Sequence, residues 1–201
     1  MKNQREMAEF VGIMLGDGYL GYPTPWRMKI SFNSVDDKEY VKIVDKLLIK
    51  LFNTKTIIKH RSNEKVSEIY IFKREILRHL VNDLDLIPSP KWERARIPDW
   101  IFKENLEKHA LRGYFDTDGS VVITNNNGTR YPRLEMKVSP SPMQEQFIGI
   151  VKSLGFRHGV YAIGKGKVRI QINGKDELAK WNNIVGFSNP KHQRKCDSFF
   201  R

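Results

Sequence analysis

The segment FVGIMLGDGYL at residues 10–20 has a counterpart in LRGYFDTDGSV at residues 111–121. The two align without a gap and bring Asp17 into register with Asp118, at an offset of 118 − 17 = 101. Each segment combines an apolar run with an Asp-Gly pair at its end. A match of this kind at half-chain separation indicates an internal repeat.

The same register continues through the rest of the chain. The apolar run at residues 69–71 aligns with residues 170–172 at the same offset. SPKWER at residues 89–94 then aligns with NPKHQR at residues 189–194, one residue short of that offset. Several matches in one order favour duplication over chance. We therefore predict two repeats, residues 1–100 and residues 101–201.

Each half is predicted to follow the order α-β-β-α-β-β-α. Apolar residues at helical spacing predict the helices, and extended runs between them predict hairpins. The predicted helices cover residues 9–16, 35–51 and 74–84 in the first half, and residues 108–117, 143–154 and 175–184 in the second. The halves join near residues 97–105, where Pro98 would break a helix. The expected fold class is α+β.

Small residues recur four positions apart in both copies of the repeated segment. They are Gly12 and Gly16 in the first copy, and Gly113 and Thr117 in the second. Residues at this spacing share one helix face, and small ones let two helix backbones approach closely. We predict that the two helices pack in parallel through these faces, so that their C-terminal ends meet.

Those helix ends carry Asp17 and Asp118, each followed by a glycine. Gly18 and Gly119 are suited to the left-handed conformation that ends many helices. Two neighbouring carboxylates repel unless a cation lies between them, and helix C-termini also favour a cation. Oxygen ligands of this kind suit Mg²⁺ or Mn²⁺. Such metals beside a basic surface are typical of phosphodiester hydrolysis.

Two simpler interpretations of the acidic motif compete with this one. Asp-Gly is also a common hairpin turn pair, but its recurrence after two matching apolar helices favours a site. DTDGS at residues 116–120 resembles the start of a calcium loop. An EF-hand needs Gly at its sixth position and an acid at its twelfth, which here are Val121 and Asn127. The calcium interpretation is therefore rejected.

The composition agrees with a polyanionic partner. Lys and Arg number 35 against 23 for Asp and Glu, which gives a formal charge of +12 and a pI of about 9.7. Such an excess favours a nucleic acid, although a basic protein without such a partner remains the alternative. The single cysteine, Cys196, excludes an internal disulfide or a Cys-rich zinc site. With no apolar run long enough for a membrane span, we expect a soluble intracellular protein.

Here the residues point to a known family. FVGIMLGDG and LRGYFDTDG resemble two copies of the LAGLIDADG motif, and the chain resembles a two-repeat LAGLIDADG homing endonuclease over nearly its whole length. The resemblance implies a pseudo-twofold monomer whose antiparallel sheets form a saddle in the DNA major groove. It also implies Mg²⁺-dependent cleavage of both strands, with Mn²⁺ able to substitute, leaving short 3′ overhangs.

The resemblance implies a metal site at the ends of the paired helices. Asp17 and Asp118 would ligate the metals, and the preceding residues Gly16 and Thr117 would belong to the same site. The second copy carries a further acid, Asp116, at a position that is not a metal ligand in the family. We expect Asp116 to cap or bond locally.

The resemblance also implies further catalytic side chains. A basic residue late in each half, Lys91 or Lys191, would stabilise charge near the scissile phosphate; a plain surface lysine is the alternative. Asn33 and Ser139, which end the second strand of each half, match positions where the family often has a polar active-site residue.

Basic residues alternate with apolar ones along several predicted strands, which places them on one sheet face. A β-ribbon fits the major groove, where Arg and Lys read guanine or contact phosphates. The turns at residues 22–26 and 124–132 are expected to reach the outer target positions. The predicted DNA-binding residues are Arg27, Lys29, Lys59, Arg61, Lys65, Arg130, Arg133, Lys137, Lys165, Lys167 and Arg169.

Four functions are compatible with this scaffold. The first is a site-specific double-strand DNA endonuclease, and the second is an RNA-binding intron maturase. The third is a DNA-binding protein without cleavage, which the retained acids disfavour because paired carboxylates weaken binding to phosphates. The fourth is an intein, which we do not expect because the chain starts Met-Lys and ends Phe-Phe-Arg without a His-Asn terminus.

Overall fold

A computed structural model describes residues 3–201 of the chain. The first half contains α1 (Gln4–Leu15), β1 (Gly18–Gly21), β2 (Arg27–Asn33), α2 (Lys38–Phe52), β3 (Ile57–Arg61), β4 (Val66–Ile71), α3 (Arg74–Asn82) and α4 (Asp99–Lys103). The second half contains α5 (Glu107–Asp118), β5 (Gly119–Asn126), β6 (Thr129–Val138), α6 (Met143–Ser153), β7 (His158–Ala162), β8 (Val168–Asn173), α7 (Lys175–Ile184) and α8 (Pro190–Phe200).

The strands form two four-stranded antiparallel sheets of the same topology. The first has the strand order β1-β2-β4-β3, and the second has the order β5-β6-β8-β7. Helices cover one face of each sheet, where side chains such as Ile30, Ile69, Met136 and Ile170 are buried. Because side chains alternate along a strand, the intervening residues lie on the opposite, uncovered face. The predicted α+β class and the order of elements in each half are confirmed.

The α1–α5 pair forms the centre of the molecule, and its backbones meet at two glycines. A Cβ atom on Gly12 would overlap the carbonyl oxygen of Ala110 and lie 2.8 Å from the Tyr114 amide nitrogen. A Cβ atom on Gly113 would overlap the carbonyl oxygen of Glu9. Any larger residue at either position would therefore push backbone against backbone.

The expectation of left-handed glycines after the two acids is wrong. Gly119 has φ −94° and ψ 170°, and Gly18 is likewise outside the positive-φ region. Both glycines begin extended strands instead. Their requirement is steric: a Cβ atom on Gly18 would lie 2.6 Å from Met14 Cα, and one on Gly119 would lie 2.5 Å from the Phe115 ring.

The start of the second helix differs from the sequence prediction for a local reason. The second helix begins at Lys38 rather than at residue 35, because the Asn33 side chain accepts hydrogen bonds from the amides of Val35 (2.9 Å) and Asp36 (3.1 Å) and fixes a turn there. The short α4 at the junction and the C-terminal α8 were not predicted.

The start of α8 explains why one Pro-Lys segment became helical. Asn189 caps the helix by accepting a hydrogen bond from the Lys191 amide at 3.0 Å, and Pro190 occupies the first helical turn, where its missing N–H is not needed. Residues 90–94 of the first half form turns instead. Among residues 3–201, every helix is too short or too polar to span a bilayer.

Candidate active site

The two acids of the repeated motif lie in one cavity at the C-terminal end of the central helix pair. Asp118 is the last residue of α5, and Asp17 follows the end of α1. Both line a cavity of about 330 Å³ together with Lys91, Tyr114 and Ser139, among others. The parallel packing of α1 and α5 thus brings one carboxylate from each half to the same place.

The approach of Asp118 depends on the absence of a side chain at Gly16. A Cβ atom there would lie 2.9 Å from Asp118 Oδ2 and would overlap the hydroxyl of Thr117. That hydroxyl donates a hydrogen bond to the Tyr114 carbonyl at 2.9 Å. The small residues at both positions therefore let the two helix ends close against each other.

Lys91 lies in the same cavity as the two acids and caps the end of α1. Its Nζ donates to the carbonyl oxygens of Met14 (2.6 Å), Leu15 (2.9 Å) and Gly16 (3.0 Å). These are carbonyls that a helix C-terminus leaves without intrahelical partners. The ammonium group thus serves as a helix cap and is the cation that most strongly lowers the pKa values of both carboxylates.

The enclosure of the site shifts the pKa values of all three groups. Although the side chains of Asp17 and Asp118 both keep exposed surface, desolvation by the surrounding protein and the charge of Asp17 raise the pKa of Asp118 to about 7. Burial also raises the pKa of Asp17, with Lys91 opposing this effect. Burial lowers the pKa of the Lys91 ammonium to about 8, although both carboxylates act in the opposite direction. The carboxylate pair therefore lacks enough positive charge in its surroundings.

A divalent cation would supply that charge, and the donor set fits Mg²⁺. Within residues 3–201 no group of three or more His, Cys, Asp or Glu side chains is arranged to hold a metal. The site offers two carboxylates and, at the same helix ends, backbone carbonyls such as that of Gly16. Mg²⁺ typically takes one or two carboxylates and keeps water and phosphate oxygens as its other ligands.

Comparison with known families gives a match for the second half. Residues 105–186 match the model described as a LAGLIDADG-like domain. The second half of the chain is thus similar to a LAGLIDADG-like domain. The predicted resemblance is thereby confirmed, on a segment that includes the acidic motif of α5.

Solved structures share the fold of this chain over nearly its whole length. The homing endonuclease I-WcaI bound to its DNA recognition sequence is 14% identical, with a TM-score of 0.68, covering 96% of this chain and 86% of that one. I-DmoI in complex with DNA and Mn is 16% identical, with a TM-score of 0.62 and coverages of 92% and 97%. The I-LtrWI LAGLIDADG homing endonuclease bound to target DNA is 12% identical, with a TM-score of 0.62 and coverages of 98% and 90%. These likenesses establish the fold.

One curated relative resembles the chain in sequence. The replication factor C small subunit of Methanocaldococcus jannaschii is 29% identical over 199 residues, which are 94% of this chain and 10% of that protein. This chain thus spans about a tenth of the length of that relative. The match lies within a much longer protein.

The second lysine of the duplicated Pro-Lys pairs has different neighbours from Lys91. Lys191 Nζ forms an ion pair with Asp37 Oδ1 at 2.8 Å, and Asn189 Nδ2 donates to the same oxygen at 2.9 Å. Lys191 still lowers the pKa of Asp17, whereas Asp37 raises it. The first-half lysine therefore lies in the shared cavity, while the second-half lysine lies beside it in a pair of its own.

Asp37 and Asn189 were missed in the sequence. Asp37 immediately precedes α2 and so has the pattern of an ordinary helix cap, but it makes no side-chain cap hydrogen bond. Its carboxylate faces the second half of the chain instead. The sequence signal for Asp37 was the polar pair Asp36-Asp37 before a helix. That pair carries no information about Asn189, a partner 152 residues away in the chain.

The two polar residues that end the second strands have different positions. Ser139 lines the cavity with the acids. The Asn33 side chain is exposed and its oxygen is occupied by the amides of Val35 and Asp36. The structure thus gives Asn33 a turn-forming role and does not bring it to the cavity, contrary to the catalytic expectation.

Asp116 has the local role expected of it. Its side chain is 1% exposed and accepts a hydrogen bond from the Ser188 amide at 2.7 Å, while Asn189 Nδ2 donates to its backbone carbonyl at 3.0 Å. Burial raises the pKa of Asp116 to about 8, against the lowering effect of the Ser188 hydrogen bond. Asp116 therefore anchors the segment that leads into α8 and Lys191.

Most of the predicted DNA-binding residues lie on the uncovered sheet faces. In the first sheet the register puts them opposite the buried side chains of β2 and β4, and in the second sheet opposite those of β6 and β8. They are Arg27, Lys29, Lys59, Arg61, Arg133, Lys137 and Arg169. Lys167 precedes β8, and its ammonium lies 5.4 Å from the centroid of the exposed Trp92 ring.

Three predicted DNA-binding residues do not lie on these strand faces. Arg130 lies on the same side of β6 as the core-facing residues of that strand. Its guanidinium donates to the Ser198 carbonyl at 2.9 Å and lies 5.4 Å from the Phe199 ring centroid, so Arg130 packs on α8. Lys65 and Lys165 lie in the hairpin turns, with φ of 53° and 51°. The expectation that Lys165 lies on an extended strand is wrong, because the turn between β7 and β8 includes Lys165 and β8 begins only at Val168.

Proposed function

We propose that this chain is a site-specific double-strand DNA endonuclease that hydrolyses phosphodiesters with a divalent metal. The observation that carries the proposal is the meeting of Asp17 and Asp118 with Lys91 in one cavity, between two sheets with basic outer faces. One carboxylate comes from each repeat. Such a centre would face both strands of a duplex related by the same pseudo-twofold axis.

Asp17 and Asp118 would hold the metal, and Gly16 and Thr117 belong to the same helix ends. A bound divalent ion supplies charge neutralisation and an acidified water for attack on phosphorus. The protein's own contribution is to hold the two carboxylates in position through the α1–α5 contact. Lys91, fixed by three carbonyl oxygens, adds a donor that needs no reorganisation as negative charge develops on the phosphate.

The substrate assignment rests on charge and on the arrangement of the sheets. Each sheet leaves one face uncovered, and that face carries Lys and Arg side chains at alternating positions. Solved proteins with this fold include homing endonucleases bound to target DNA, and one complex contains DNA and Mn. For this chain we propose the same class of partner, bound by a single copy with internal pseudo-twofold symmetry. We also propose short 3′ overhangs.

The direct test is incubation of the protein with a randomised duplex library and Mg²⁺, followed by sequencing of the cut ends. We expect cuts in both strands of a defined site, a fixed 3′ stagger, and loss of cutting with a chelator. Sequence-selective binding without cuts would support a DNA-binding protein that lacks cleavage. Selection of structured RNA in a parallel pool, without DNA selection, would support a maturase. Either result would refute the proposed endonuclease.

A further inference from the structure

The uncovered face of each sheet carries one carboxylate among its basic residues. In the first sheet it is Glu68 on β4, and in the second it is Glu135 on β6. The side chain of Glu68 is 2% exposed and that of Glu135 is 18% exposed. A carboxylate on a face that would meet phosphates weakens binding unless it has a specific partner.

The strand register shows which positions of the two halves are equivalent. The glycine after each acid pairs across the sheet with Ile30 in the first half and with Met136 in the second. Those two residues pair in turn with Ile69 and Ile170. One residue earlier on each strand, Lys29 therefore corresponds to Glu135, and Glu68 corresponds to Arg169.

The same ion pair thus occurs in both halves with its charges exchanged. In the first sheet the cation is on β2 and the anion on β4, and Lys29 Nζ lies 2.7 Å from Glu68 Oε1. In the second sheet the anion is on β6 and the cation on β8, and Arg169 Nη1 lies 4.0 Å from Glu135 Oε2. The two repeats therefore carry opposite charges at equivalent positions of their uncovered sheet faces.

The first of these pairs is closed by protein donors. Glu68 accepts hydrogen bonds from Lys29, from Arg61 Nε (3.0 Å) and Nη2 (2.7 Å), and from the Tyr70 hydroxyl (2.7 Å). Burial would raise the pKa of Glu68, but these hydrogen bonds outweigh it and lower the pKa to about 2. The carboxylate stays ionised beneath its donors, so the charge presented outward is that of Lys29.

The second ion pair is not closed by hydrogen bonds. Glu135 Oε2 lies 3.3 Å from Arg133 Nε, but no hydrogen bond forms. Across the described residues 3–201, this oxygen and the Nε atoms of Arg133 and Arg169 are buried polar atoms without a hydrogen-bond partner. A pair that served only to join strands would be satisfied internally, as Glu68 is. The other oxygen, Oε1, is not among these buried atoms and accepts no hydrogen bond within residues 3–201, so it is the oxygen that can accept from a ligand.

Both positions lie close to the centre of the site. Lys29 pairs with Tyr19, and Glu135 pairs with Ser120. Each partner is two residues beyond its acid, which is roughly 7 Å at the rise of a β-strand. The base pairs that these side chains would face are therefore among the innermost of each half-site.

In the major groove, a cation pairs with the guanine O6 and N7 acceptors, and a carboxylate accepts from the cytosine amino group. We infer that the DNA target departs from twofold symmetry at the base pair facing Lys29 and Glu135: guanine opposite Lys29 in one half-site, and cytosine opposite Glu135 at the equivalent position of the other. Glu68 positions Lys29, and Glu135 is itself a specificity-determining residue. This inference rests on the proposed function.

The test compares the bases at the two equivalent positions in the sites that the wild-type protein selects from a randomised duplex library. Binding is carried out with Ca²⁺ so that selection does not depend on cleavage. We expect different bases at the two equivalent positions, each preferred by roughly 5- to 150-fold over alternatives, the range for one good base contact. The charge-exchange variant Glu135→Lys/Arg169→Glu places the two charges as they stand at Lys29 and Glu68 in the first half. It should change the second-half preference from cytosine to guanine and make the selected sites symmetric at that pair.

A matched control reverses an ion pair away from the sheets. Lys50 and Glu6 pair at 2.6 Å between α2 and α1, and Lys50→Glu/Glu6→Lys should select the same bases as wild type. If the charge-exchange variant on the sheet does not fold, Glu135→Gln replaces it. That variant should lose the cytosine preference at this position by at least about 5-fold, the lower end of one base contact.

The outcomes separate the two proposals. Selected wild-type sites with the same base at both positions would overturn this inference and leave the endonuclease intact, as would variants at Glu135 with the wild-type preference. Failure of wild type to select any duplex would overturn the proposed function and this inference with it.

Discussion

The helix crossing at Gly12 can be tested by a single methyl group. In Gly12→Ala the new Cβ would overlap the carbonyl oxygen of Ala110 and lie 2.8 Å from the amide nitrogen of Tyr114. Ordinary contacts of a Cβ atom are 3.4–4 Å. Both neighbours are backbone atoms of α5, so neither can rotate away, and the substitution must move one helix relative to the other.

The expected magnitude follows from two opposing contributions. Alanine in a helix interior is about 1 kcal/mol better than glycine, whereas overpacking a tight contact costs typically about 1–3 kcal/mol and sometimes more. With an unyielding backbone, we take the upper part of that range and expect a net loss of about 2 kcal/mol. For a chain of this size that corresponds to a fall in Tm of roughly 4–8 °C.

Gly149 provides a matched control. It lies in the middle of α6, where an added Cβ would meet nothing within 4 Å. Gly149→Ala should therefore raise the Tm by roughly 2–4 °C, since only the gain in helix propensity of about 1 kcal/mol remains.

Thermal unfolding measures the stability, and cleavage of the selected duplex measures the site. A displacement of about 1 Å at a catalytic centre can lower the rate on the order of 100-fold, so Gly12→Ala should lose more cleavage than Gly149→Ala at a temperature where both are folded. If Gly12→Ala is as stable and as active as Gly149→Ala, the close backbone contact does not determine how the acids meet.

Two further predictions follow from Asp116 and from the unequal lysines. The folded-state pKa of Asp116 is raised to about 8 from 3.8. The stability that its neutral form contributes is therefore fully present below the unfolded pKa and is lost as pH rises through about 8. The Tm of Asp116→Asn should rise relative to that of wild type between about pH 5 and about pH 9, and a Tm difference that stays constant over this range would refute the raised pKa. Lys91→Met should reduce cleavage at least about 10-fold while duplex affinity in Ca²⁺ is retained, and Lys191→Met should reduce it less because Lys191 is paired with Asp37; equal losses would contradict the asymmetry.

The repeat in the sequence was sufficient to predict the order of elements and the central helix pair. Its signals are local: helical spacing of apolar residues, and small residues at Gly12 and Gly113 that leave room for a second backbone. The expectation of a left-handed conformation at Gly18 and Gly119 was wrong because it rested only on how a glycine ends a helix. The actual constraint is the last turn of the preceding helix, which each Cβ would strike.

The asymmetry between the halves could not be predicted from the repeat. Two similar segments, SPKWER and NPKHQR, place their lysines differently because Asn189 caps a helix at the second one. The partner of Lys191 is Asp37, far away in sequence. Arg130 likewise packs on α8, a helix that the sequence pattern did not predict.

The central claim is that one carboxylate from each half forms a single cleavage centre. It is tested most directly by comparing Asp17→Asn, Asp118→Asn and wild type on one selected duplex, with strand-specific labels, Mg²⁺ for cleavage and Ca²⁺ for binding. Each substitution keeps the side-chain shape and removes the charge, so we predict retained binding and no double-strand cleavage by either variant. Cutting of both strands at the wild-type rate by either variant would contradict a shared two-acid site.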